Sequence, residues 1–145
     1  MNPKQENGIS SQPGIRILVV DDFVDWRRCV CENLQENLSL QVVGVASDGL
    51  EAVLKAEELQ PDLILLDIGL PNLDGIEAAR RIRKVAPESK IIFLSQESDP
   101  VVVRAALTAG GHGYVVKAGA YSELSLALEA IMLGKSYVSP GLADR

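Results

Sequence analysis

The stretch that decides the fold is residues 62–71, DLILLDIGLP, in which a short apolar run leads directly into Asp67. A run this apolar, without polar alternation, is typical of a strand that is buried on both faces of a parallel sheet. It is therefore the best candidate for the central strand. Asp67 stands at its carboxyl end, and open α/β sheets bind their ligands beside that edge.

Three further apolar runs share this arrangement, and they end at Asp21-Asp22, at Ser95 and at Lys117. If all four runs are parallel strands of one sheet, their terminal side chains meet at one edge. Hard cations such as Mg²⁺ prefer oxygen ligands, and a phosphoryl group in transfer needs a cation, an ammonium and hydrogen-bond donors around it. The pattern therefore predicts a site for a divalent cation and a phosphoryl group, with Asp67 placed as a nucleophile.

The segments around these runs alternate in type. Apolar residues at helical spacing predict helices at about residues 24–37, 50–59, 76–85, 101–109 and 122–133, and residues 40–46 predict a further strand. In the first helix the apolar stripe consists of Val30, Leu34 and Leu38. Five strands that alternate with five helices predict an α/β fold built on a doubly wound, five-stranded parallel sheet.

Length and composition fit one domain. The 145 residues are 47% hydrophobic and 23% charged, as in an ordinary soluble α/β protein. Residues 1–14 are polar and rich in Asn, Gln and Ser, so we expect a flexible tail. We assign the domain to residues 15–133 and the start of a linker to residues 134–145.

Charge and hydropathy argue against two classes of partner. The net charge of −6 disfavours direct binding to nucleic acid, because such binding needs basic groups that neutralise phosphates. The N-terminal residues lack the apolar core of a signal peptide, and no run approaches the length of a membrane span, so we expect a cytoplasmic protein without a membrane partner. Cys29 and Cys31 point to different faces of a helix and are expected to be reduced.

The chain closely resembles the receiver domain of bacterial two-component response regulators over residues 15–133. The motifs that carry the resemblance are ILVVDD at residues 17–22, DLILLDIGLP at residues 62–71 with Asp74-Gly75, Leu94-Ser95, and GYVVK at residues 113–117. Residues 106–114 and 134–140 resemble the NarL/FixJ (LuxR-type) branch. The resemblance implies a flavodoxin-like fold with strand order 2-1-3-4-5.

The resemblance also implies the chemistry of the site. Asp67 is the implied phosphoacceptor, and Lys117 is implied to pair with the phosphoryl group. The implied ligands of Mg²⁺ are Asp21, Asp22, Asp67 and the backbone carbonyl of Gly69.

A switch and its partners are implied in the same way. Ser95 and Tyr114 match the pair in which the hydroxyl moves toward the phosphoryl oxygen and the aromatic ring turns inward behind it. The implied phosphodonor is a phosphohistidine on a sensor histidine kinase. The implied output is a phosphorylation-dependent homodimer that regulates transcription, with DNA reached only through a helix-turn-helix domain that this chain does not contain. The resemblance also implies that the domain helps to catalyse its own phosphorylation and dephosphorylation, and we do not expect an enzyme with a separate substrate.

Two positions depart from the family pattern. Ala118 follows Lys117 where most receivers have a proline, so the shape of this loop is not predicted. Gln96 follows Ser95 where a small residue is usual. Its long side chain could shield the phosphoryl group or hydrogen-bond an attacking water.

Three other residues have structural interpretations. The lone His112 is expected to be exposed in a loop, and Gly75 is expected to meet a backbone requirement after Asp67. Trp26 lies one helical turn past Asp22 and is expected to pack near the site.

Alternative functions fit parts of the pattern. Aspartyl-phosphate phosphatases also use a strand-end Asp and Mg²⁺, but residues 21–23, DDF, do not fit their Asp-x-Asp motif. A nucleotide-binding domain needs a glycine-rich turn where this chain has acids. A stand-alone receiver that acts through protein partners, and a receiver that binds partners constitutively, both remain open.

Overall fold

The computed structural model describes residues 14–142, so nearly all of the predicted N-terminal tail lies outside the described residues. Every predicted helix and strand is present, with small differences at the ends. The elements in chain order are β1 (Ile15–Val20), α1 (Val24–Gln35), β2 (Leu40–Ala46), α2 (Gly49–Leu59), β3 (Leu63–Leu66), α3 (Gly75–Val85), β4 (Lys90–Ser95), α4 (Pro100–Thr108), β5 (Gly113–Val116), α5 (Ala120–Met132) and β6 (Tyr137–Val138). A 3₁₀ turn, Lys117–Gly119, joins β5 to α5.

The strands form one sheet in the order β2-β1-β3-β4-β5-β6, and every adjacent pair is parallel. The flavodoxin-like α/β fold is therefore confirmed, whereas the predicted count of five strands is wrong. The sixth strand pairs with β5, with Gly113 opposite Tyr137 and Tyr114 opposite Val138. Two residues are too few to show a strand pattern in the sequence, and this pairing is made by the backbone groups that the edge of β5 offers.

The core has two layers because successive strand residues point to opposite faces of the sheet. Leu18 and Ile64 pack on the face that α2, α3 and α4 cover, whereas Val19 and Leu65 pack on the face that α1 and α5 cover. All four side chains are buried. Burial on both faces explains why these strands are continuous apolar runs in the sequence.

The first helix is shorter than its apolar spacing predicts. It ends at Gln35, and the Asn37 side chain then accepts a hydrogen bond of 2.9 Å from the backbone N–H of Ser39. Leu38, which was predicted to extend the buried stripe, is 96% exposed. The prediction is wrong because the asparagine turn redirects the chain toward β2 before the helix can place Leu38 on the core.

The loop after β3 is held tightly against the sheet. The Asp74 side chain caps α3 by accepting a hydrogen bond of 2.9 Å from the backbone N–H of Glu77. Gly75 begins that helix, and a Cβ atom there would overlap the carbonyl oxygen of Asp67. The predicted backbone requirement at Gly75 is thus confirmed, and it fixes the chain directly behind Asp67.

Candidate functional site

The register of the sheet brings the predicted strand-end residues together. Val20 lies opposite Leu66, and the backbone N–H of Asp67 donates a 3.1 Å hydrogen bond to the carbonyl of Val20. On the other side of β4, Ser95 lies opposite Val116. The result is an open cleft of about 410 Å³ at the carboxyl edge, and its lining includes Asp21, Asp22, Asp67, Gly69, Ser95 and Lys117.

Lys117 sits between two carboxylates. Its Nζ lies 2.7 Å from Oδ2 of Asp21 and 3.2 Å from Oδ2 of Asp67. These side chains are only 12%, 4% and 11% exposed for Lys117, Asp21 and Asp67 respectively. Charges that leave water to this extent need a partner, and one ammonium neutralises only one of the two carboxylates. The cleft therefore holds excess negative charge.

The protonation behaviour of the cleft follows from this crowding. Burial raises the pKa of Asp21, and the neighbouring charge of Asp67 adds to the increase, although hydrogen bonds from Lys117 and from the backbone N–H of Phe23 oppose it. Burial alone would lower the pKa of Lys117, but the hydrogen bond to Asp21 and the charges of both carboxylates outweigh that effect and raise it. Lys117 is therefore firmly cationic.

Backbone donors orient the two buried carboxylates. The N–H of Phe23 donates a 2.9 Å hydrogen bond to Oδ1 of Asp21, and the N–H of Ile68 donates a 2.7 Å hydrogen bond to Oδ1 of Asp67. In each carboxylate the other oxygen is the one that contacts Lys117. Both groups are thus held in one orientation by short, charge-assisted hydrogen bonds.

The acidic residues fit a hard divalent cation. Asp21, Asp22 and Asp67 each offer an oxygen, and these oxygens lie within 4.8 Å of one another. Ligands on opposite sides of one Mg²⁺ are about 4.2 Å apart, so small movements suffice for one ion to bind all three. Asp22 is exposed, and Gly69 lines the same cleft without a side chain in the way. A cation there would balance the charge that Lys117 leaves uncompensated.

The predicted switch residues are joined through one backbone segment. Oγ of Ser95 accepts a 3.1 Å hydrogen bond from the N–H of Glu97, and the hydroxyl of Tyr114 donates a 2.7 Å hydrogen bond to the carbonyl of Glu97. The Tyr114 ring is fully buried and stacks on Phe93 at 6.1 Å between centroids. Burial raises the pKa of Tyr114 to about 12, so its hydroxyl stays a donor.

Glu97 was not singled out in the sequence. It contributes its backbone N–H and carbonyl, which every residue type other than proline has, so no side-chain signal could have identified it. Only the positions of Ser95 and Tyr114 show that both hydroxyls are tied to the same residue.

The structure defines the backbone at Ala118 and the position of Gln96, the two residues that depart from the family pattern. The 3₁₀ turn begins at Lys117, and residues 14–142 contain no cis peptide bond, so the bond between Lys117 and Ala118 is trans. Gln96 is exposed and lines the cleft beside Ser95. Trp26 packs near the site as predicted, with its ring centroid 5.4 Å from the Nζ of Lys117.

His112 is not the exposed loop residue that was predicted. It is half-buried, its Nδ1 accepts a 3.1 Å hydrogen bond from the N–H of Ile91, and its own backbone N–H donates one of 2.7 Å to the carbonyl of Ile91. The imidazole therefore extends the pairing of β4 and β5. The prediction was wrong because the partner is a backbone group that lies far away in the sequence.

Fold and site together define a class of protein. A doubly wound α/β domain with an acidic cleft and a buried lysine at the carboxyl edge of its central strands has side chains of the types that phosphoryl and divalent-cation chemistry uses. The response regulator receiver domain family matches residues 17–129, and the chain belongs to this family. It is thus a receiver domain of the two-component response regulators, in which phosphorylation switching is general and the receiver itself is in general a signalling domain.

Several relatives share the domain. The chain is 37% identical to the response regulator GacA of Pseudomonas viridiflava over 132 residues, which are 90% of this chain and 61% of that protein. It is 39% identical to a protein-glutamate methylesterase/protein-glutamine glutaminase of a Nocardioides species over 82% of this chain and 33% of that protein. The crystal structure of a LuxR-family two-component response regulator from Aurantimonas superposes with a TM-score of 0.86 at 33% identity, covering 90% of this chain and 94% of the other.

Two of these relatives are longer than the domain. The chain spans about three-fifths of the length of GacA, and a third of the methylesterase. No helix among residues 14–142 is long and apolar enough to cross a membrane.

Proposed function

We propose that this chain is a signalling switch that accepts a phosphoryl group on Asp67 from a phosphohistidine of a sensor histidine kinase. The observation that carries the proposal is the surroundings of Asp67. Its carboxylate lies in an open cleft, 3.2 Å from the ammonium of Lys117 and within 4.8 Å of oxygens from Asp21 and Asp22. A nucleophile, a cation site and a fixed positive charge therefore converge on one point.

The proposed reaction transfers one phosphoryl group. An oxygen of Asp67 attacks phosphorus, the bond between phosphorus and the donor imidazole breaks, and the departing nitrogen keeps the bonding electron pair and is protonated. The product on Asp67 is an acyl phosphate. Lys117 stabilises the negative charge on the phosphoryl oxygens. Asp21, Asp22, Asp67 and the carbonyl of Gly69 would hold Mg²⁺, which would supply further neutralising charge.

The proposed response begins at Ser95. Its hydroxyl, which contacts the N–H of Glu97, would turn toward the phosphoryl group as a hydrogen-bond donor. Glu97 also accepts the hydrogen bond from Tyr114, so a movement of this segment is passed to a buried ring of β5. Phosphorylation would thereby shift a pre-existing equilibrium between two arrangements of α4, β5 and α5.

The proposed output is a change of assembly. We infer a phosphorylation-dependent homodimer that regulates transcription through a DNA-binding domain outside this chain, in line with its similarity to GacA and to a LuxR-family regulator. The receiver would comprise residues 15–133, with residues 134–145 starting the linker, in a cytoplasmic protein. The alternative is a stand-alone receiver that acts through protein partners, and the similarity to a methylesterase supports an output other than DNA binding.

Intact-mass measurement with acetyl phosphate tests the chemistry. The wild-type protein should gain one phosphoryl group in the presence of Mg²⁺, and neither Asp67→Asn nor a chelator-treated sample should gain any. If the folded wild type gains no adduct and also fails to bind fluoroberyllate, the phosphorylation switch is wrong. The constitutive partner-binding receiver would then be the better explanation.

A further inference from the structure

The lysine of the site rests on an aromatic ring that comes from a different element. Nζ of Lys117 lies 5.4 Å from the ring centroid of Trp26, within the range in which an ammonium is attracted to an aromatic face. The side chain of Lys117 is only 12% exposed, so water screens this attraction weakly. Trp26 belongs to α1, whereas Lys117 follows β5.

Hydrogen bonding does not explain the orientation of Trp26. Its indole nitrogen is buried and has no hydrogen-bond partner, and it is the only side-chain nitrogen or oxygen in this condition among residues 14–142. A buried N–H without a partner is unfavourable, and native structures contain few such groups. The contact with the ammonium of Lys117 is the interaction that the geometry offers.

A second ring supports Trp26 from the side of α5. Tyr121 meets it edge to face, with 6.3 Å between the centroids and 68° between the planes. This arrangement is the favourable one for two aromatic rings. Tyr121 lies in the first turn of α5, directly after the 3₁₀ turn that carries Lys117, and it is 67% exposed. The indole therefore contacts both the lysine and the start of α5.

We propose that Trp26 is a positioning residue that holds the Lys117 ammonium toward Asp67, and that Tyr121 holds Trp26 in place. The inference rests on the proposed phosphoryl transfer, because Lys117 is the group that would meet the phosphoryl oxygens. Lys117 has a flexible side chain, and its interactions are productive only when the ammonium stays at the phosphoryl position. The face of Trp26 limits that freedom without adding a charge to the cleft.

The rate of phosphorylation by acetyl phosphate at saturating Mg²⁺ and donor tests the proposal. Trp26→Leu should lower this rate about tenfold, whereas Trp26→Phe keeps an aromatic face and should stay within about threefold of wild type. Tyr121→Leu should have a smaller effect than Trp26→Leu. The matched control is Tyr137→Leu. Tyr137 is an aromatic residue that packs in the same core layer without reaching Lys117. The phosphorylation rate of this variant should equal that of wild type.

A double-mutant cycle separates positioning from general packing. In a Lys117→Met background, Trp26→Leu should cause no further loss, because there is no ammonium left to position. The same loss in both backgrounds would show that Trp26 serves the fold only and would overturn the proposal. A wild-type rate in Trp26→Leu would also overturn it.

A second measurement does not depend on phosphorylation. Trp26 is the only tryptophan of the chain, so the tryptophan emission reports on the surroundings of this side chain alone. Lys117→Met should change the emission spectrum, and Lys55→Met, which removes an ammonium from the opposite face of the sheet, should not. If wild type takes up no phosphoryl group, the proposed function fails. An unchanged emission in Lys117→Met would reject the contact between Trp26 and Lys117, whether or not wild type is phosphorylated.

Discussion

The two edges of the sheet use polar side chains in different ways. At the amino edge, where the strands begin, such side chains provide hydrogen-bond partners for backbone groups. Oδ2 of Asp62 accepts a 2.8 Å hydrogen bond from the N–H of Arg16, and the buried hydroxyl of Ser89 donates to the carbonyl of Pro61. Nδ1 of His112 likewise accepts a hydrogen bond from the backbone N–H of Ile91, near the start of β4. Each of these groups supplies a partner that a backbone group would otherwise lack, so it stabilises the fold.

At the carboxyl edge the polar side chains face one another. Asp21 and Asp67 share the single ammonium of Lys117, and Asp22 adds a third carboxylate nearby. Like charges at this distance oppose folding unless a cation arrives. The comparison teaches that the two edges differ in charge: the three amino-edge groups have backbone partners alone, whereas the acids of the carboxyl edge are oriented by the backbone and also crowd around one ammonium.

The largest expected effect that sharpens this comparison is at Asp67. Asp67→Asn should abolish the phosphoryl adduct, yet raise the free energy of unfolding in Mg²⁺-free buffer by about 1 kcal/mol, since one of two crowded charges is removed. Intact mass and urea unfolding measure the two quantities. Asp62→Asn at the amino edge is the matched control and should be phosphorylated like wild type. A clear loss of stability in Asp67→Asn would break the distinction between the edges.

Lys117→Met should have the next largest effect. The phosphorylation rate should fall about 100-fold, because a preorganised charge that meets the transferring group is removed. The variant should also be less stable than wild type without Mg²⁺, with much of the difference recovered when Mg²⁺ is added, since the ion replaces the missing positive charge. Thermal unfolding across a Mg²⁺ titration measures this recovery. A stability deficit that is independent of Mg²⁺ would contradict the idea that the ion and the lysine neutralise the same carboxylates.

Ser89→Ala, at the amino edge, should lower the stability of the fold without changing phosphorylation. It leaves the buried carbonyl of Pro61 without its partner, so the free energy of unfolding should fall by about 1 to 3 kcal/mol. The phosphorylation rate should stay at the wild-type value because Ser89 lies at the opposite edge from the cleft. Urea unfolding and the acetyl phosphate assay provide the two readings. A slower phosphorylation in a fully folded variant would show that the two edges are coupled.

The smallest expected effect is on the pH dependence of the free energy of unfolding, and it arises at His112. Burial lowers the pKa of His112, and the positive charges of Lys90 and Arg83 lower it further, so the unfolded chain binds this proton more readily than the folded one. The stability that neutral His112 contributes is therefore present above the ordinary pKa of 6.5 and is lost as the pH falls below it. One proton limits the loss to about 1.4 kcal/mol per pH unit.

The matched variant for this prediction is His112→Asn, which keeps an acceptor for the N–H of Ile91 but has no proton to gain. Urea unfolding from about pH 8 to about pH 5 should show a steeper decline for wild type than for the variant. Parallel curves would mean that His112 does not titrate differently in the two states.

The sequence by itself determined the fold class, the alternation of strands with helices and the residues that meet at the carboxyl edge. Strands that are covered on both faces must be apolar throughout, so they are visible as local runs. Parallel connections then place the end of every run at the same edge, which brings Asp21, Asp67, Ser95 and Lys117 into one cleft. The cleft's composition could therefore be read without coordinates, while the roles assigned to its residues stay predictions until they are measured.

Only the tertiary structure decided the features that depend on backbone partners or on contacts between distant elements. The pairing of β6 with β5, the hydrogen bond from Ile91 to His112 and the two bonds to Glu97 all use backbone N–H or carbonyl groups. Such groups are the same in nearly every residue, so a sequence carries no mark of which one is used. The contact of Trp26 with Lys117 is likewise set by how α1 packs beside the end of β5, and the sequence could place Trp26 near the site without showing what it touches.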